Sequence, residues 1–246
     1  MRMKSIIKAE HLKYQHTFGR ILPVIAPMVT LLLVLVLTGG LENAFPAGAW
    51  NWWYATLLPG MLAVMCYLNI TKEKKNRYYY LNTLAISRKK LMLGKIAYLS
   101  KGLFLANLIL FTGATIGGEL LGTTISISGA VVGTLLLTVS YLWEIPLYLF
   151  LSARFGMFAD VFLCMVITIG GVATLADTNS WWICPSSIPI RLMCPTLGLL
   201  PNGLNIPAGS ELLNTNVILP GILLSLAWFA VIAFLFLIWF EKTEVK

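Results

Sequence analysis

Apolar positions along this chain gather into stretches of about 20 residues between polar breaks, near 21–41, 51–71, 97–117, 129–151, 159–177 and 216–240. A helix rises about 1.5 Å per residue and the hydrocarbon core of a bilayer is about 30 Å thick, so each stretch is a candidate membrane span. The pattern lacks the short alternating segments of a membrane β-barrel, which predicts helices. The first apolar run begins only after Phe18-Gly19-Arg20. It outlasts the roughly 7–15 residues of a signal-peptide core, so 21–41 reads as a retained span. The predicted fold is an all-α integral membrane protein, a single domain over residues 1–246 with six transmembrane helices and both termini on one side.

Three polar or broken stretches flank these spans. In residues 1–20, the order Ile6-Ile7-Lys8-Ala9-Glu10-His11-Leu12-Lys13 predicts an amphipathic interfacial helix; the alternative is a frayed basic tail that only orients the first span. Residues 72–95 hold a charged arm, the compact stretch Tyr78-Tyr79-Tyr80-Leu81-Asn82-Thr83-Leu84, and Ser87 before Arg88-Lys89-Lys90. A short helix there exposes large side chains that need a groove in a partner or the headgroup layer, and Ser87 is placed to cap a second short helix. A belt of interfacial tyrosines is the other reading. Residues 178–215 carry Trp181-Trp182 and five of the chain's 11 prolines, yet stay apolar at Ile188-Pro189-Ile190 and Leu197-Gly198-Leu199-Leu200. Proline at that density excludes one continuous helix. Short broken helices in or dipping into the outer leaflet are expected, either as the first surface met by an amphipathic substrate or as a structural lid.

Composition agrees: 58% of the chain is hydrophobic and 11% charged, against about 25% charged in soluble domains. The length left over excludes an added catalytic or nucleotide-binding domain of about 100 residues or more. Most Lys and Arg fall in residues 1–20, in 72–95 and in the tail, whereas the opposite connections hold Arg191 with Glu42, Glu119, Glu211 and, at their edge, Asp177. Positive-inside bias therefore makes both termini cytoplasmic. The net charge of +8 becomes a topology signal with attraction to anionic lipid, and no nucleic-acid partner is expected.

The chain has no GxxxxGK[ST], GxSxG or HExxH sequence, so it does not read as an enzyme. There is no CxxC, and His11 and His16 stand apart from cysteines, so no metal is expected. Cys66 and Cys164 fall inside spans as packing residues. Cys184 and Cys194 could close a disulfide across the Pro-rich loop or stay apart. Of the intramembrane acids, Asp160 reads as a headgroup-level pair or cap near Arg154. Glu144, two residues before a kink at Pro146, could bind a cationic part of a substrate, carry a proton, or hydrogen-bond a neighbouring span.

The organisation resembles a known family. The segment Ile7-Lys8-Ala9-Glu10-His11-Leu12-Lys13, the six spans, and Leu81-Asn82-Thr83-Leu84-Ala85-Ile86-Ser87-Arg88-Lys89-Lys90-Leu91 with Lys95 soon after are similar to the ABC-2 type permeases. Within them the chain is most similar to the permease subunits of lantibiotic immunity transporters of Gram-positive bacteria. That resemblance implies a multi-pass plasma-membrane protein beneath which a cytoplasmic ABC ATPase dimer binds ATP and Mg, so that this chain carries no cofactor. It also implies a second permease subunit, often a related but different chain. The coupling segment would comprise Tyr78, Tyr79, Tyr80, Leu81, Leu84 and Ser87. ATP hydrolysis on the partner would then expel an amphipathic lantibiotic from the membrane. Trp181, Trp182, Asp177 and Glu211 would rim its entrance and Glu144 would face the pathway. The competing function is a membrane scaffold or immunity protein that sequesters a peptide without transporting it.

Overall fold

The computed structural model describes residues 3–15, 17–41, 43–75 and 87–242. Among them no strand occurs beyond an isolated bridge between Leu199 and Asn205. The helices are α1 (Met3–Tyr14), α2 (Phe18–Thr38), α3 (Ala44–Trp52), α4 (Leu58–Lys75), α5 (Arg88–Leu121), α6 (Ile127–Ser140), α7 (Glu144–Arg154), α8 (Met157–Thr174), α9 (Ser187–Leu197) and α10 (Ile218–Lys242). A π-helical turn, Trp53–Leu57, joins α3 to α4.

By length and composition α2, α3 with α4, α5 and α10 can each cross a membrane, and α6 with α7, bent by 41°, makes a fifth. The expected fifth span is the shorter apolar helix α8, and the expected fourth is broken. That break lies at Tyr141–Trp143 and not at Pro146. Pro146 sits in the first turn of α7, where its missing N–H leaves no intrahelical bond unmade.

The outer surface is apolar, with Val36 and Leu120 both 79% exposed and Phe158 90% exposed. Glu10, Lys95, Asn107, Glu144 and Asp160 are buried. Apolar outside and polar inside is the arrangement hydrocarbon demands, because lipid covers Leu and Val at no cost while polar groups must find one another.

The centre of the bundle is α4, packed against α2, α7 and α8, with Trp53, Leu58, Leu62, Ala63, Cys66 and Ile70 all inaccessible to solvent. The π turn at its start has a local cause. In that register Leu58 N–H reaches the Trp53 carbonyl, and the next donor in line would be residue 59, a proline without an N–H. The carbonyl this leaves over, that of Tyr54, accepts instead from Tyr141 Oη at the α6–α7 break. Nearby, Trp53 Nε1 donates to Asn107 Oδ1 at 2.8 Å and Asn107 Nδ2 to Thr138 Oγ1 at 3.0 Å, so α4, α5 and α6 are pinned at one depth. Tyr141→Phe should therefore cost about 1–3 kcal/mol, the penalty of an orphaned buried carbonyl, read as a lowered unfolding temperature in detergent.

Candidate functional site

The end of the bundle that carries most Lys and Arg is built around a buried ion cluster. Helix α1 turns Ile6, Glu10 and Tyr14, spaced four residues apart, onto α5 and α4. Its approach to α5 is close: a β-carbon on Gly94 would stand 2.4 Å from Ile6 Cγ2, so this position must lack one. The sequence pattern predicts an interfacial amphipathic helix here. Its buried stripe packs on protein and carries an acid at its middle.

That acid meets Lys95, which is fully buried in α5. Lys95 Nζ donates to Glu10 Oε2 at 2.8 Å and to Glu73 Oε1, near the end of α4, at 3.0 Å. Lys13 closes the figure from the solvent side, 2.8 Å from both Glu10 Oε1 and Glu73 Oε1. Two cations and two carboxylates from three helices thus neutralise one another, with Lys95, Glu10 and Glu73 buried and Lys13 at the solvent edge. Tyr14 adds an aromatic seal. Its hydroxyl donates to the Asn69 carbonyl at 2.5 Å, its ring stacks on Tyr98 at 5.5 Å, and Lys72 Nζ lies 5.0 Å above that ring while donating to the Lys13 carbonyl at 2.6 Å.

Burial works against the charge of Lys13, but the Glu10 and Glu73 carboxylates outweigh it and hold the ammonium above its ordinary value of 10.5. A lysine raised in the folded state contributes fully below its ordinary pKa and loses that contribution as pH climbs through the folded one. Protease protection of α1 should therefore differ between parent and Lys13→Gln at neutral pH, and the difference should vanish only well above pH 10.5.

The same cluster fixes the two stems of the loop that was expected to dock a partner. Glu73 ends one stem. The other begins at Ser87, whose Oγ accepts from Lys90 N at 3.4 Å, and this cap opens the 34-residue α5 rather than a second short helix. Lys89 pairs with Glu241 at the end of α10 at 2.8 Å, an exposed pair of small energetic weight. Of the expected coupling residues, only Ser87 is placed. Tyr78, Tyr79, Tyr80, Leu81 and Leu84 lie outside the described residues.

Deeper in the bundle, α7 and α8 run antiparallel with polar side chains every fourth residue: Glu144, Tyr148 and Ser152 on one, Asp160, Cys164 and Thr168 on the other. Ser152 Oγ donates to Asp160 Oδ2, whereas Arg154, the expected neighbour of that acid, is exposed. Glu144 is completely buried at the α7 N-terminus, and both its carboxylate oxygens are without a hydrogen-bond partner. It is enclosed between α4, α7 and α8, so no peptide reaches it unless those helices part.

At the opposite end, the Pro-rich connection folds into short pieces, the helix α9 and then 3-10 turns at Glu211–Leu213 and Thr215–Val217, and α9 is largely buried between α6, α8 and α10. Arg191, the basic residue of this end, is also buried, and donates to the carbonyls of Leu212 at 2.9 Å and Glu211 at 3.3 Å. The expected entrance residues divide. Trp181 is buried and its carbonyl accepts from Ser187 Oγ at 2.6 Å, while Trp182, Asp177 and the Glu211 side chain are exposed. Cys184 and Cys194 are free thiols, so the considered disulfide is not formed. Cys184 faces Ser186 Oγ at 3.0 Å, and Cys194, buried in α9, donates to the Ile190 carbonyl at 3.5 Å within its own helix. No protein-family model, curated protein or solved structure matches the chain.

Proposed function

We propose that the chain is the permease subunit of an ATP-driven ABC transporter, with six spans, cytoplasmic termini and a plasma-membrane location, and that it expels an amphipathic antimicrobial peptide of the lantibiotic type. The observation that carries this reading is the charged brace. Lys95, Glu10 and Glu73 tie the end of α4 and the first turns of α5 to α1 and to each other, so a push arriving from the 76–86 connection would move α4 and α5 as one body. The partner ATPase would bind ATP and Mg and do the hydrolysis, and a second permease would complete the pathway. Buried acids at the α4, α7 and α8 seam and the exposed Trp182, Asp177 and Glu211 suit a cationic, amphipathic cargo.

The test is copurification of the chain with its ATPase and measurement of ATP hydrolysis with and without peptide. Leu84→Asp should put a charge into an apolar contact, releasing the ATPase while leaving insertion intact. Peptide tolerance that persists without any attached ATPase would overturn the reading in favour of sequestration.

A further inference from the structure

At the basic end, α1, α2 and α5 leave between them a cavity of about 420 Å³, within the range of small-molecule sites. Its mouth carries His11, Arg20 and Lys101, and its floor includes Ile21, Val24 and Leu105. None of its described lining residues is acidic. Glu10, the acid of α1, faces the other way and is held by Lys95 and Lys13. Arg20 Nη1 donates to the Gln15 carbonyl at 3.1 Å, which ties one nitrogen of the guanidinium to the end of the α1 segment beside the mouth. On both long helices a cation stands one turn before an aliphatic residue, Arg20 before Val24 and Lys101 before Leu105. Both helices start at the basic end, so the cations lie toward it and the aliphatic residues lie deeper.

That vertical order is the order of an anionic phospholipid, phosphate above and acyl chain below. Buried Pro23 and Met65 close the inner side, whereas Ile21, Val24 and Leu105 are 47%, 43% and 41% exposed, so the groove continues onto the apolar flank of the bundle, where a chain can lie but a free phosphate gains nothing. A cationic headgroup would meet Arg20 and Lys101 as like charges, whereas a phosphodiester with a neutral headgroup would accept charge-assisted hydrogen bonds from both. We propose that this cavity binds one anionic phospholipid, its phosphate held by Arg20 and Lys101 with His11 at the rim and an acyl chain along Ile21, Val24 and Leu105. The lipid would fill the gap beneath α1 on the side away from the ion cluster. This inference is independent of the transport reading.

The experiment uses the full chain purified in neutral detergent and offered phosphatidylglycerol, phosphatidylcholine or glycerol phosphate, with lipid adducts read by native mass spectrometry and unfolding temperature followed in parallel. Phosphatidylglycerol should be retained and should raise the unfolding temperature; phosphatidylcholine should be lost at the same collision energy, and glycerol phosphate should not compete. Arg20→Gln with Lys101→Gln should weaken phosphatidylglycerol binding about tenfold or more, as expected for the loss of two charge-assisted contacts. Leu105→Trp keeps every cation but fills the groove, and should weaken it as well. Lys4→Gln with Lys8→Gln removes the same charge from the exposed face of α1 and should leave binding unchanged. Equal retention by parent and Arg20/Lys101 variant overturns the proposal, as does equal loss in the Lys4/Lys8 variant, which would mean diffuse attraction to basic charge. Displacement by glycerol phosphate would overturn the lipid assignment in favour of a soluble phosphate.

Discussion

Lys95→Met should destabilise the protein by about 3–5 kcal/mol, the range for stripping one partner from a buried ion cluster. Lys95 is fully buried and donates to Glu10 Oε2; without it, Lys13 is left to balance two carboxylates from the solvent edge. The damage should be local first, with α1 released and cleaved by protease before the bundle unfolds. The control separates charge from shape. Adding Glu10→Gln to Lys95→Met restores one cation to one carboxylate, and should recover much of the lost stability. A single variant as stable as the parent would mean that the brace does not hold α1, and the lever argued for transport would go with it. If instead α1 is lost and the ATPase still binds but no longer responds to peptide, the brace is part of the coupling.

Gly129→Val is the second large effect, at the other end of the molecule. A β-carbon there would stand 2.5 Å from the Thr196 carbonyl oxygen and 2.9 Å from Ser126 Oγ. A backbone oxygen near the end of α9 cannot swing aside as a side chain can, so α9 or α6 has to move. Overpacking costs about 1–3 kcal/mol where neighbours relax and more where they do not, and the upper end is expected here. Cysteine labelling gives a direct reading. Cys194 is buried in α9 and Cys184 is half-buried beside it, so a displaced α9 should make Cys194 reactive to a thiol reagent while Cys66 in α4 stays protected. Protection of Cys194 equal to the parent's would show that α9 keeps its seat and that the close approach is dispensable.

Much of the architecture is written in local order. Apolar runs of sufficient length mark the places where helices cross, and Pro59 marks the π turn that leads into α4, because both effects act within a few residues. Glu144 was legible as a buried acid from its position in the fourth run. Its neighbours were not, since they come from α4 and α8. Asp160 illustrates the same limit: Arg154 is nearer in sequence, yet Ser152 faces it once α7 and α8 run antiparallel. The ion cluster did leave a signal that charge counting passes over. Residues 1–20 and 72–95 are strongly basic, and each contains one acid, Glu10 and Glu73 respectively. An isolated acid in a basic segment is a better candidate for a specific pair than any of the lysines around it.

Hydrophobic length, helix type and the uneven distribution of Lys and Arg were determined by the sequence alone, because each is a property of neighbouring residues summed along the chain. The tertiary structure alone decided that α1 is clamped to protein and that one piece of the Pro-rich connection becomes a largely buried helix while Trp182, Asp177 and Glu211 stay exposed. Those outcomes depend on groups far apart in the chain, Lys95 with Glu10 and Gly129 with Thr196. A buried charge or a missing side chain has meaning only when its partner is known, and the fold supplies the partner.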